Sequence, residues 1–176
     1  MTYNKGEKIC TVKGNAYNIL KKERVILNLI QRLSGIASLT KEYVLTMHNT
    51  NIDILDTRKT TPGIRAMEKF AVYIGGGKNH RLNLSDSILI KDNHLKFISN
   101  LCLYTKTLKK KYPKKIIEVE IENISTLKQA LLSPINAILL DNMQPEQVKQ
   151  FVKKIRQTKK GKSIFIEASG GITLKN

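Results

Sequence analysis

Five short apolar segments recur between residues 52 and 166, and the stretches between them have apolar residues at helical spacing. This alternation predicts a parallel sheet built from βα units, because parallel strands need long, usually helical crossovers. The segments are nearly continuous in apolar residues, as expected for strands buried on both faces. The predicted strands are Ile52–Leu55, Ser87–Ile90, Ile116–Val119, Asn136–Leu140 and Ser163–Ile166, and the predicted helices cover 64–74, 94–111, 125–132 and 145–158.

The chain before this alternation has a different pattern. Apolar residues at helical spacing predict one helix over 16–39, and we expect Gly35 and Thr40 to end it. The residues up to Val12 are expected to form the edge of a small sheet. The pattern therefore predicts two parts of different construction.

Polar residues follow each of the five predicted strands. Caps and turns also favour Asp, Asn and Ser, but five such endings in succession argue for a shared site, because parallel strands end at the same edge of a sheet. Cations there can bind substrate anions, carboxylates can bind Mg²⁺ or a ribose, and Gly170-Gly171 leaves backbone N–H groups open to a phosphate. The endings are Asp56-Thr57-Arg58-Lys59, Lys91-Asp92-Asn93-His94, Glu118-Val119-Glu120, Asp141-Asn142 and Glu167-Ala168-Ser169-Gly170-Gly171.

The first of these endings continues into a charged segment, 56–65, that we call the elbow. Pro62 suits the first turn of a following helix, where its missing N–H costs nothing. Arg58 and Lys59 would then lie beside a helix N-terminus, which is a favourable place for a phosphate or carboxylate. The elbow is therefore predicted to be an anion site.

Composition excludes several classes of protein. No apolar run approaches the ~20 residues that cross a bilayer, and the N-terminus lacks the apolar region of a signal peptide. Cys10 and Cys102 have no C-x-x-C spacing, so a disulfide framework or structural zinc is not expected, and two free thiols fit the cytoplasm. The net charge of +17 allows a basic nucleic-acid-binding module as an alternative, although no nucleic-acid motif accompanies the lysine runs.

At this point the sequence resembles the quinolinate phosphoribosyltransferase family, also called carboxylating nicotinate-nucleotide pyrophosphorylase. The resemblance runs nearly from end to end in long, ordered matches. They are Glu23-Arg24-Val25 with Asn28, Gln31 through Ala37, Asp56 through Arg65, Gly75 through Arg81, Leu89 through His94, Glu118-Val119-Glu120, Leu139 through Met143, and Glu167 through Ile172.

The resemblance implies an enzyme of NAD biosynthesis. It would transfer a phosphoribosyl group from phosphoribosyl pyrophosphate to quinolinate with decarboxylation, giving nicotinate mononucleotide, pyrophosphate and CO₂, with Mg²⁺ as cofactor. The implied fold is an open α/β barrel preceded by a small α/β sandwich, which divides this chain into 1–45 and 46–176. The implied assembly is a homodimer, and we expect neither a nucleic-acid partner nor a membrane.

The resemblance also implies roles for individual residues. Catalysis would fall to Lys59, Glu120 and Asp141, and the last two would hold Mg²⁺ and the ribose hydroxyls. We expect only one of Glu118 and Glu120 to face the site, and the family match selects Glu120. The implied substrate-binding residues are Arg24 (donated across the dimer), Thr57, Arg58, Lys59, His80, Arg81, Lys91, Glu120, Asp141, Ser169, Gly170 and Gly171.

The resemblance begins late in the small sandwich and stops after the fifth predicted strand of the barrel. We therefore expect an incomplete barrel with an exposed last strand, and an activity reduced or lost by that truncation. A gene fragment or degraded gene is the reading we favour over a shortened protein that dimerises to cover its edges. A retasked or non-catalytic paralogue of the same family also remains open.

Overall fold

The computed structural model describes residues 3–176, in which the chain forms two compact units, Met1–His80 and Arg81–Asn176. The predicted α/β class and the parallel sheet are confirmed. The predicted division into 1–45 and 46–176 concerns domain organisation rather than compactness and stays a prediction; its first two residues, Met1 and Thr2, lie outside the described part of the chain.

The first unit contains two helices, α1 (Ala16–Thr46) and α2 (Arg65–Ile74). The side chain of Asn15 caps α1 by accepting a hydrogen bond from the Asn18 amide at 3.2 Å. The chain leaves α2 very close to α1, since a Cβ on Gly75 would lie 2.5 Å from the Ala37 carbonyl oxygen. Glycine at this position therefore allows the two helices to approach.

The first helix runs further than predicted, because neither Gly35 nor Thr40 ends it. Thr40 is buried, and its hydroxyl donates to the Ile36 carbonyl oxygen one turn earlier, so the residue is accommodated within the helix. The residues before α1 form no strand in the described chain, so the expected sheet edge up to Val12 is wrong. No helix among the described residues combines the length and apolarity needed to span a bilayer.

The predicted strand Ile52–Leu55 is also wrong. Within the described part of the chain, its one ladder contact is an isolated parallel bridge between Leu55 and Lys78. The Lys78 amide donates to the Ile54 carbonyl at 2.8 Å, and the Asp56 amide donates to the Lys78 carbonyl at 3.1 Å. The backbone of this apolar run is thus paired with the glycine-rich segment 75–80 instead of with a neighbouring strand.

The second unit is a four-stranded parallel sheet whose strands lie side by side in chain order, with helices between them. The other four predicted strands are confirmed, although the last one, predicted at Ser163–Ile166, runs from Phe165 to Ser169. The core lies around the two central strands, where Ile117, Val119, Ile121, Ile138 and Leu140 are fully buried. The elements are β1 (Ile88–Ile90), α3 (Asp92–Leu95), α4 (Leu101–Lys111), β2 (Ile117–Ile121), α5 (Ile124–Leu132), β3 (Ala137–Asp141), α6 (Pro145–Arg156), a 3-10 turn (Lys160–Lys162) and β4 (Phe165–Ser169).

The predicted helix 94–111 is divided into α3 and α4. Asn100 starts a new helix, because its side chain accepts from the Leu103 amide at 2.9 Å and its own backbone is extended. The predicted helices 64–74, 125–132 and 145–158 are confirmed as α2, α5 and α6. Asn123 caps α5, and Pro145 opens α6 at the position where proline is tolerated best.

Candidate functional site

The elbow is folded back on itself by hydrogen bonds to the Arg58 carbonyl oxygen. That oxygen accepts from the Thr60 amide at 3.0 Å and from the Arg65 guanidinium at 3.3 Å. Lys59 is exposed, and its amide donates to the Thr57 hydroxyl at 3.0 Å. The helix after the elbow begins at Arg65, so Pro62 lies in the turn before it, and placing Pro62 in its first turn is wrong.

Arg58 is half-buried, and its Nε is buried without a hydrogen-bond partner among the described residues. An unpartnered buried donor is costly, and native proteins leave few of them. A carboxylate or phosphate bound to this guanidinium would supply the acceptor. The geometry of Arg58 therefore agrees with the predicted anion site.

Glu68 of α2 connects the elbow to α1 through hydrogen bonds. Its buried carboxylate accepts from the Thr61 amide at 3.0 Å and from Arg32 Nε at 2.7 Å, and Arg32 also donates to the Thr61 hydroxyl at 2.6 Å. Burial acts to raise the pKa of Glu68, but the hydrogen bonds from Thr61 and Arg32 outweigh it, and the pKa lies below its ordinary value. Glu68 is thus a charged brace between α1, the elbow and α2.

A buried ion pair connects the start of the elbow to the end of the glycine-rich segment. Lys69 Nζ contacts Asp56 Oδ1 in a short hydrogen bond and donates to the His80 carbonyl at 2.9 Å. The same Asp56 oxygen accepts from the His80 amide at 2.9 Å. With its amide nitrogen facing the acceptors, Asn79 donates to Asp56 Oδ2 at 2.6 Å and to the Lys69 carbonyl at 2.9 Å.

In the second unit, Lys91 and Glu120 lie at the carboxyl edge of the sheet. Ile90 pairs with Val119, so Lys91, the first residue after β1, follows beside Glu120, which is still within β2 and pairs with Leu139 of β3. Burial raises the pKa of Glu120, the charges of Asp141, Asp92 and Glu122 raise it further, and Lys91 opposes them. Glu120 is therefore a buried carboxyl within electrostatic range of Asp141 and Lys91.

Glu118 and Glu120 are both buried and lie two residues apart on β2. Residues at this spacing on a strand point to the same face of the sheet, so the expectation that only one of them faces the site is wrong. The choice of Glu120 consequently rests on the family resemblance and on its position next to the strand end. Glu118 lies one step deeper on that face.

The ends of β3 and β4 bring Asp141 and Ser169 together, since these residues pair directly in the ladder. The Ser169 hydroxyl makes a short hydrogen bond to Asp141 Oδ1, and the Asn142 side chain donates to Asp141 Oδ2 at 2.7 Å. Asn142 has φ of +51°, and its amide donates to the Ser169 carbonyl at 2.9 Å. A Cβ on Gly170 would lie 2.0 Å from Asn142 Oδ1, so the Asn142 side chain sits on the glycine backbone.

The structure thus groups the predicted site residues in two sets. In the first unit, the elbow residues Thr57, Arg58 and Lys59 are linked to His80 through the Asp56–Lys69 pair. In the second unit, one sheet edge carries Lys91, Glu120, Asp141, Ser169 and the two following glycines, Gly170 and Gly171, which have φ of +83° and +65°.

Two further predicted residues are Arg81 and Arg24. Arg81 is half-buried, and its guanidinium donates to the Ser87 carbonyl at 3.5 Å. Arg24 is exposed on α1, and the described contacts join it to none of the other predicted residues. Its role in a dimer stays a prediction.

Sequence reasoning missed Lys69 and Glu68, as well as the left-handed backbone of Asn142, all of which hold this arrangement in place. Lys69 and Glu68 lie in the amphipathic pattern of α2, where charged residues usually face solvent, and nothing in the local sequence marks them as buried. Asn142 could have been found, because an Asn directly after a strand is a frequent left-handed residue.

Comparison with known proteins identifies similar chains. A family model described as quinolinate phosphoribosyl transferase, C-terminal domain, matches residues 36–176, and the corresponding N-terminal domain model matches residues 2–34. The matches therefore cover nearly the whole chain and change from one domain to the other between residues 34 and 36.

Individual relatives agree with the family models. A probable carboxylating nicotinate-nucleotide pyrophosphorylase of Bacillus subtilis strain 168 is 45% identical over 174 residues, which are 98% of this chain and 58% of that protein. The equivalent protein of Synechocystis is 41% identical over 169 residues, covering 96% and 57%. The crystal structure of NadC from Streptococcus pyogenes superimposes with a TM-score of 0.81 at 40% identity, covering 93% and 56%. The chain spans a little over half the length of these proteins.

Proposed function

The chain belongs to the quinolinate phosphoribosyl transferase family, and from this membership we propose that it transfers the phosphoribosyl group of phosphoribosyl pyrophosphate to quinolinate. Loss of CO₂ accompanies the transfer, and the products are nicotinate mononucleotide and pyrophosphate. The observation that carries the proposal is the continuous match of both family domains along the chain. Because the relatives named above are longer, their activity is a proposal for this chain.

Quinolinate carries two carboxylates on adjacent ring carbons, and the proposal assigns their binding to Arg58, His80, Arg81 and Lys91. Arginine forks bind carboxylates through two parallel hydrogen bonds, and lysine supplies a compact charge. The Nε of Arg58, which is buried with no hydrogen-bond partner in residues 3–176, supports this assignment, because a bound carboxylate would satisfy it. Thr57 helps to fix the same loop, because its hydroxyl accepts a hydrogen bond from the Lys59 amide.

The sugar donor is assigned to residues at the ends of the elbow, β2, β3 and β4. Lys59 is proposed to contact phosphoribosyl pyrophosphate, and Glu120 and Asp141 to hold the ribose hydroxyls. Ser169, Gly170 and Gly171 are proposed to hold the 5′-phosphate, since glycine backbones at positive φ leave their N–H groups accessible to an anion.

Glu120 and Asp141 also fit the oxygen ligands that Mg²⁺ prefers. The fit is supported by electrostatics, because the charge of Asp141 helps to raise the pKa of Glu120 and a bound cation would relieve that repulsion. When bound, Mg²⁺ would neutralise the pyrophosphate leaving group. The carboxylates themselves would stabilise positive charge that develops at C1 of the ribose as the pyrophosphate leaves.

Decarboxylation needs no nucleophile from the protein. Once the pyridine nitrogen is bonded to the ribose, its positive charge stabilises the electron pair that the departing CO₂ leaves at C2, and this carbon then takes up a proton from solvent to give the C2–H of the product. The residues around quinolinate then act by holding the ring against C1 and excluding other orientations. Catalysis in this proposal is mainly positioning and electrostatics.

The proposal includes a homodimer in which Arg24 reaches the quinolinate pocket of the other protomer. The exposure of Arg24 on α1 is compatible with this role. It also includes a cytoplasmic location, supported by two free thiols, Cys10 and Cys102.

Quinolinate binding tests the proposal directly. We expect calorimetry to detect saturable binding of quinolinate to the wild-type chain, and Arg81→Ala and Lys91→Met to abolish or strongly weaken it. Lys96→Met is the matched control for Lys91→Met, because Lys96 is exposed and, among the residues that the structure describes, its ammonium donates to the Asn93 side chain alone, at 2.8 Å. Unchanged affinity in Arg81→Ala and Lys91→Met would contradict the assignment.

The same preparations separate the alternatives. A retasked paralogue would bind neither quinolinate nor phthalate. A nucleic-acid-binding module would bind RNA or DNA tightly, with affinity falling steeply as salt rises, whereas we expect weak and non-saturating binding in a filter assay.

A further inference from the structure

We infer that Lys69 is a positioning residue, which holds His80 at a fixed distance from the elbow through its ion pair with Asp56. The inference rests on the proposed function, because it concerns two segments assigned to quinolinate binding. The assignment of Lys69 itself comes from its contacts and burial. It adds to the site a residue that does not touch substrate.

Both backbone polar groups of His80 form hydrogen bonds with the Asp56–Lys69 pair. Asp56 Oδ1 accepts from the His80 amide, and Lys69 Nζ donates to the His80 carbonyl, with both distances at 2.9 Å. Asp56 lies two residues before Arg58. The ion pair therefore connects the backbone of His80 to the segment that presents Arg58, and a displacement of one would be transmitted to the other.

Burial makes this connection rigid. The side chains of Lys69 and Asp56 are 4% and 6% exposed. A buried ion pair keeps its partners in contact, because either charge alone in a dry environment is strongly unfavourable. The Asn79 side chain donates hydrogen bonds to Asp56 Oδ2 and to the Lys69 carbonyl oxygen, and these bonds also hold the pair in place.

The buried side chains around this pair are mostly polar or charged, whereas most protein cores are apolar. Ala71 is the only buried apolar side chain among the described residues of the first unit, while Thr40, Glu68 and Lys69 are its buried polar ones. The arrangement of these loops consequently depends on charge and hydrogen bonding more than on packing. Lys69 cannot serve as a substrate contact, since its ammonium is buried and occupied by Asp56 and His80.

Lys69→Met tests the inference, with Lys78→Met as the matched control. Lys78 also pairs with an aspartate, Asp53, at 2.8 Å, but its side chain is 65% exposed. NMR hydrogen exchange measures the exchange rate of the His80 amide. Calorimetry measures the affinity for phthalate, an unreactive aromatic dicarboxylate. In Lys69→Met we expect the His80 amide to exchange at least tenfold faster than in wild type, while the Val72 amide in α2 is little changed. Phthalate affinity should fall about 10²-fold, the loss that ~1 Å of misplacement can cause.

Lys78→Met should leave both readings unchanged. If Lys69→Met does not fold, the double variant Asp56→Asn/Lys69→Met removes both charges together and avoids an unpaired buried charge. It should fold and still bind phthalate at least tenfold more weakly than wild type.

Two failures are distinguishable. Wild-type chain that binds no phthalate contradicts the proposed function, and the His80 exchange rate still decides whether Lys69 holds that segment. Wild-type binding together with unchanged exchange and affinity in either Lys69 variant overturns the inference alone.

Discussion

Replacing Gly170 with alanine should destabilise the second unit more than the same change at Gly171. Both residues have positive φ, +83° and +65°, so each alanine meets a similar backbone penalty of about 1–2 kcal/mol. The surroundings differ. A Cβ at Gly170 would lie 2.0 Å from Asn142 Oδ1 and 2.7 Å from its Cγ, whereas a Cβ at Gly171 has no atom within 4 Å.

The extra cost at Gly170 follows from the bond that Asn142 would lose. Its side chain cannot move away from the new methyl group without breaking the 2.7 Å hydrogen bond to Asp141. A hydrogen bond to a charged group contributes about 1.5–3 kcal/mol. Gly170→Ala should therefore cost about 2.5–5 kcal/mol, against about 1–2 kcal/mol for Gly171→Ala.

Urea unfolding followed by circular dichroism measures this difference in the free energy of unfolding. The effect of alanine on the unfolded chain is the same at both sites and cancels in the comparison. Equal destabilisation by Gly170→Ala and Gly171→Ala would refute the reasoning, because it would mean that the Asn142 side chain is not held against the Gly170 backbone.

Three further predictions concern stability. At pH values above the ordinary glutamate pKa, Glu68→Gln should have a lower free energy of unfolding than wild type. Unfolding curves at decreasing pH should show this difference disappearing as the pH falls through the lowered pKa of Glu68. Gly35→Ala should raise the melting temperature, since an added Cβ meets nothing within 4 Å and helical glycine costs about 0.5–1 kcal/mol relative to alanine. Ile138→Ala should cost about 2–5 kcal/mol in urea unfolding, because Ile138 is fully buried between helices and sheet; a change below about 1 kcal/mol would contradict the assigned core.

The sequence predicted the elements that local rules determine. Helices α5 and α6 follow apolar periodicity and begin directly after the capping residues Asn123 and Gln144. The strands of the sheet follow apolar runs. The run Ile52–Leu55 looked equally strand-like, but its partner is the backbone of Lys78, and a pairing between distant segments is not visible in a local pattern.

The same distinction applies to the candidate site. Arg58, Lys91, Glu120 and Asp141 could be named from the strand endings and the family resemblance. The residues that hold the Arg58 segment could not be named, because the Asp56–Lys69 pair spans 13 residues and the Arg32–Glu68 pair spans 36. A lysine on an amphipathic helix is usually solvated, and only the folded chain shows that Lys69 is buried.

Product analysis tests the central claim most directly. The purified chain, incubated with Mg²⁺, phosphoribosyl pyrophosphate and quinolinate labelled in its 2-carboxylate, should release labelled CO₂ and nicotinate mononucleotide in equal amounts. Glu120→Gln should remove that release, while Glu122→Gln, an exposed neighbour just past β2, should retain it. Saturating substrates that yield neither product, or CO₂ without the mononucleotide, would contradict the proposed transfer.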